Sequence, residues 1–115
     1  MSAEIVIRAL GALAQEHRLA AFRLLVQAGA GGMAAGAIAE RLGVPASSMS
    51  FHLAQLGYAG LVSQRRESRS IIYAADYAAM NGLMGYLMEK CCAGVACAAD
   101  AECSPSILTQ ESTAA

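Results

Sequence analysis

Residues 34–62, AAGAIAERLGVPASSMSFHLAQLGYAGLV, constrain the fold most, because Gly43-Val44-Pro45 breaks one short amphipathic segment and opens another. Gly43 accepts the left-handed backbone that ends a helix, and Pro45 forbids continuation while suiting the first turn of a new helix. Ile38 and Leu42 give the first segment a buried side. In the second, Met49, Leu53 and Leu56 recur at helical spacing, whereas Ser47, Phe51, Ala54 and Gln55 point roughly the opposite way. Two helices joined by a short turn result, with the second free to enter a major groove. Taken alone, this pattern fits an ordinary helix pair equally well.

The residues that follow favour the DNA-reading alternative. LVSQRRESRSIIYAA predicts two short β-segments, Leu61 to Arg65 and Ser70 to Ala74, around a turn at Glu67 and Ser68. Arg65, Arg66 and Arg69 are three of the chain's eight basic residues. A hairpin so charged can lie along the phosphate backbone or reach the minor groove. A helix-turn-helix followed by such a hairpin is a winged helix.

Flanking segments complete an α-rich domain. IVIRALGALAQ repeats Ile5, Leu10 and Leu13 near helical spacing, with Ser2 as N-cap. HRLAAFRLLVQAG places Leu19, Phe22 and Leu25 or Val26 on one face and turns Arg18 and Arg23 away, with Gly29 as its stop. AGAGGM reads as a flexible link. From Asp76, DYAAMNGLMGYLMEKCC returns to helical spacing through Tyr77, Met80, Leu83 or Met84, and Leu87. The predicted order is α-α-α-α-β-β-α, mainly helical with a small β-hairpin. The 57% apolar content agrees, since 26 residues are alanine, which favours thin, closely packed helices over a bulky aromatic core. The first and last helices, amphipathic and away from the reading elements, are the natural interface of a homodimer, which would match half-sites roughly 34–36 Å apart.

All four cysteines, Cys91, Cys92, Cys97 and Cys103, fall within the thirteen positions 91–103. With no membrane-length apolar run and an N-terminus unlike a signal peptide, the chain is expected in the cytoplasm, where metal binding or redox sensing outweighs structural disulfides. Thiolates select soft, thiophilic ions. Zinc sites usually pair cysteines two to four residues apart in two knuckles, and CC-x4-C-x5-C lacks that form. A pyramidal centre such as trivalent arsenic needs three sulfurs on one side, so Cys91, Cys92 and Cys97 lead, with Cys103 as spare or substitute. Antimony(III) or a methylated arsenical suits the same donors. A disulfide redox switch stays open on spacing alone. No CxxC, phosphate loop or carboxylate and histidine pair supports an enzyme, and no organic cofactor is indicated. A net charge of −1 provides no bulk attraction to nucleic acid, so DNA contact must be local. The organisation expected is residues 1–90 for DNA binding and dimerisation, then 91–115 as sensor segment and tail.

ALAQEHRLAAFRLLVQAG, the string SSMSFHLAQLGYAGLV and the wing RRESRSIIY together resemble the ArsR/SmtB family of dimeric winged-helix metalloregulators over residues 9 to about 90. The resemblance implies a repressor that sits on double-stranded operator DNA and dissociates when an inducer binds. The family's founding Cys-Val-Cys arsenic motif has no counterpart in AAGAIAERLG. Its zinc site on the last helix needs histidines and carboxylates, whereas the two histidines are His17 and His52, and that helix offers Asp76 and Glu89. Other members carry a Cys-Cys pair and a further cysteine past the last helix and respond to arsenite. For DNA the expected contacts are Ser47, Ser48, Ser50 and Gln55 on the reading helix and Arg65, Arg66 and Arg69 on the wing. His52 lies near the edge of the buried face, in a packing or phosphate-contact role.

Overall fold

The computed structural model describes residues 1–91. Helices α1 (Ala3–Leu13) and α2 (Glu16–Ala28) lead to a short strand β1 (Met33–Ala34), then α3 (Ala35–Leu42) and α4 (Ala46–Tyr58). Strands β2 (Val62–Glu67) and β3 (Ser70–Ala75) form a hairpin, and α5 (Tyr77–Leu87) closes the order. This is a winged helix-turn-helix. None of the helices in the described residues is long and apolar enough to cross a membrane.

Capping chemistry sets the boundaries. Ser2 Oγ accepts from the Ile5 N–H at 3.3 Å, and Asp76 Oδ1 accepts from the Ala79 N–H at 3.0 Å, so each start of α1 and α5 has one orphan donor satisfied. At the end of α3, Gly43 is left-handed at φ 67°, its N–H reaches the Glu40 carbonyl, and Val44 N–H reaches the Ala39 carbonyl. That is a Schellman motif, with Val44 buried beyond it. The same pair of bonds recurs after α4, where Gly60 (φ 79°) donates to Gly57 and Leu61 to Leu56. Both helices of the reading unit therefore stop at defined points, which fixes their directions.

One layer of side chains holds the unit. Leu25, Ile38, Met49, Leu53, Leu56 and Leu61 are fully buried, so the face of α4 read from the sequence is the one that packs. α2 sits behind it, touching α1, α3, α4 and β3. Tyr77 Oη donates to the Val26 carbonyl at 2.9 Å and pins the start of α5 to the end of α2. Two expectations for α2 change. Leu19 is 44% exposed while the small Ala21 is buried, because close approach of neighbouring helices selects the alanine side. Arg18 is not turned away, since its Nε donates to the Ala12 carbonyl at 2.7 Å and satisfies the end of α1.

The link at 28–33 is also more ordered than its glycines suggest. Met33 pairs with Tyr73 and Ala34 with Ile72, making β1 the third strand of a sheet ordered β1-β3-β2. The order is thus α-α-β-α-α-β-β-α. Gly32 allows this, at φ 72° and so close to β3 that a Cβ there would run into the Tyr73 carbonyl oxygen. Gly32→Ala is expected to cost about 1–3 kcal/mol from left-handed strain and this clash. A urea-unfolding midpoint unchanged from wild type would contradict the strand docking.

Beyond α4, β2 starts one residue later and ends two residues later than expected and β3 ends one residue later, so the hairpin runs from Val62 opposite Ala75 to Glu67 opposite Ser70 and Glu67 belongs to the strand instead of the turn. The turn is Ser68-Arg69. Only Ser68 takes positive φ, at 56°, which matches the first central position of a type II′ turn. At the other end, α5 stops at Leu87 instead of running to the cysteines. Lys90 is left-handed at φ 59°, and the half-buried Cys91 follows in a turn, its N–H donating to the Met88 carbonyl at 2.9 Å.

Candidate nucleic-acid interface

The site is built on α4 and the β2-β3 wing. α4 carries no charged side chain among its thirteen residues. Ser47, Ser48 and Ser50 are exposed, Gln55 is half-buried, and Pro45 at the N-cap provides no side-chain cap. The N–H groups of the first turn therefore point out with the serines around them, an arrangement suited to a phosphate. Ser50 and Arg69 line one shallow depression with Ala34, Ala35, Gly36 and Ile71, so the fold brings helix and wing tip to a common surface.

The three wing arginines separate into two roles. Arg65 Nε pairs with Glu67 Oε2 at 2.8 Å, and its Nη2 donates to the Gly31 carbonyl at 2.9 Å. It ties the wing to the turn before β1, and its charge is partly answered within the protein. Arg66 in β2 and Arg69 at the tip are exposed and make no hydrogen bond or ion pair with the described residues. Those two are the charges presented outward.

His52 faces inward from α4 towards α2. Its ring lies 5.6 Å from that of His17, tilted by 42°, and its Nδ1 is shut off from solvent with no hydrogen-bond partner among the described residues. Burial, then the Arg18 charge, then His17 hold its pKa below the ordinary 6.5. The folded state thus resists a proton that the unfolded chain accepts as pH falls below 6.5, so stability should decline on acidification. His52→Gln should flatten that decline between pH 7.5 and 5.5, read from urea midpoints. An identical pH slope in the variant would count against the packing role.

Two exposed aromatics on α4, Phe51 (59%) and Tyr58 (76%), were not among the sequence-expected contacts. The helical wheel does place Phe51 opposite Met49, Leu53 and Leu56, so the signal existed. Of the cysteines, Cys91 alone is described; Cys92, Cys97 and Cys103 lie outside the described residues. Among the described residues, no three His, Cys, Asp or Glu side chains gather into a metal-holding group.

Comparison with known proteins agrees with this geometry. A helix-turn-helix domain family matches residues 13–65. The chain is 36% identical over 87 residues to nodulation protein NolR of Rhizobium meliloti, covering 76% of this chain and 69% of that protein. It is 31% identical over 91 residues to the HTH-type transcriptional regulator YgaV of Escherichia coli, covering 79% and 90%. Among solved structures, it is similar to a homodimeric winged helix-turn-helix DNA-binding domain of Mycobacterium bovis, a possible ArsR-family transcriptional regulator. That match has a TM-score of 0.60 at 32% identity and covers 76% of this chain and 81% of the other.

Proposed function

The chain belongs to the ArsR family of winged-helix transcriptional regulators, DNA-binding proteins and not enzymes, and from that premise we propose that it is an arsenic(III)-responsive repressor. It binds operator DNA in the cytoplasm as a homodimer and lets go when thiolates from Cys91, Cys92, Cys97 and Cys103 capture trivalent arsenic. The observation that carries this reading is the placing of all four cysteines directly after the last helix of a DNA-binding fold, with none in the preceding ninety residues. The donor set fits the ion: soft sulfur in excess of the three donors a pyramidal centre takes.

Dimerisation is supported by apolar surface left uncovered in the single chain. Ile5, Ile7 and Leu10 of α1 and Met84 and Leu87 of α5 are all exposed, Ile7 by 68% and Leu87 by 56%. α1 packs against α5, and Met1, just before α1, lies against Gly82 of α5. Because Cys91 follows α5 by a single turn, gathering the thiols around arsenic shifts the helix that the partner subunit contacts. The separation of the two α4 helices changes with it. Linked sites of this kind typically couple by roughly 1–3 kcal/mol, a 5- to 150-fold fall in operator affinity. Arsenic must bind the DNA-free form more tightly for any release to occur.

Fluorescence anisotropy of labelled operator DNA, titrated with arsenite in the presence of reductant, tests the proposal. Release at a few equivalents of arsenite is expected, and single Cys→Ser variants identify the ligands. Release by oxidants alone would replace arsenic sensing with a disulfide switch.

A further inference from the structure

Of the two aromatic side chains that α4 leaves exposed, Tyr58 is its last residue and carries a hydroxyl, whereas Phe51 is wholly apolar and stands in its middle. Met49, Leu53 and Leu56 of the same helix are fully buried, while Phe51 keeps 59% of its surface in solvent. Ser47 and Ser48 lie one turn before it and Gln55 one turn after, so it stands in the middle of the exposed face, between the groups that can reach phosphate and base edges. Its ring meets that of His52 edge-on, at 6.0 Å and 63°, and His52 is in turn backed by His17. The side chain is supported from behind.

Chemistry limits what such a group can meet in a major groove. The base edges there present N7 and O6 acceptors on guanine, an amino donor on cytosine, and an acceptor with a donor on adenine. Thymine alone adds an apolar group, its C5-methyl. A phenyl ring can satisfy none of the polar edges, and pressing it against one removes water without replacing the hydrogen bond. Against the thymine methyl it buries apolar surface on both sides. With no charged side chain on α4 to compete, discrimination by this helix falls to Phe51 together with the serines and Gln55.

We propose that Phe51 is a specificity-determining residue that reads thymine through its C5-methyl group. The inference rests on the DNA-binding reading above. Burying one methyl corresponds to about fourfold in affinity per contact, so about 15-fold when both half-sites of a dimer are affected.

The test begins with sites selected by the full chain from a random duplex library, followed by binding to the same sites with each thymine replaced singly by uracil, which removes only the methyl. Wild type should lose about fourfold at one or two thymines per half-site. Phe51→Ala should bind more weakly and be indifferent to uracil at those positions, while Phe51→Leu should keep part of the discrimination. Tight DNA binding that ignores uracil everywhere would overturn the inference and leave the repressor reading intact, as would uracil sensitivity that persists in Phe51→Ala. Failure to select any site would overturn both.

Discussion

Replacing Arg66 and Arg69 together by alanine is expected to weaken DNA binding on the order of 100-fold or more at about 0.1 M salt, nearly equally for every sequence. The two side chains are exposed at the outer strand and tip of the wing, and no partner among the described residues neutralises them. A dimer presents four such charges. If each neutralises one phosphate, the slope of log affinity against log salt should flatten by about 0.9 per contact, or roughly 3 to 4 units in all. Arg65→Ala should behave differently. It removes a brace between Glu67 and the Gly31 carbonyl, so affinity falls through a loosened wing with little change in salt slope. A double variant with the wild-type slope would remove the wing from the interface.

Leu53→Ala carries the second large effect. Leu53 is fully buried on the inner face of α4, and its truncation leaves a cavity at the contact of that helix with the body of the domain. Large-to-small changes at such positions cost about 2–5 kcal/mol, which for a domain of this size lowers Tm by about 10–20 °C. Phe51→Ala, two positions away but exposed, should leave Tm nearly unchanged. Melting curves of the two variants side by side separate core from reading face, and equal losses would contradict the orientation of α4.

That orientation was legible in the sequence because period and punctuation agree. Met49, Leu53 and Leu56 share one face, and Gly43 and Pro45 bound the turn, each through local backbone chemistry. The features missed depend on distant partners. β1 is two residues after a glycine run, without alternation to mark it, and exists only because Tyr73 and Ile72 lie beside it forty residues later. Arg65 reads as one of three equal charges until the Gly31 carbonyl is found within 2.9 Å of it. For His52 the sequence leaves a packing and a phosphate-contact role open at the edge of the buried face, and the stacking of α2 brings His17 against it on the packing side. MEKCC offers no strong stop signal, so the sequence pattern runs past the end of α5 at Leu87, and the left-handed Lys90 turns the chain beyond it.

On the function proposed above, the cysteines after α5 transmit arsenic binding to the DNA-reading surface. The most direct test of this coupling compares wild type with a chain carrying Cys→Ser at 91, 92, 97 and 103, both bound to labelled operator DNA and titrated with arsenite under reductant. The account predicts equal DNA affinity before titration, a 5- to 150-fold loss for wild type, and no response from the serine variant. Arsenite-driven release from the serine variant would contradict it.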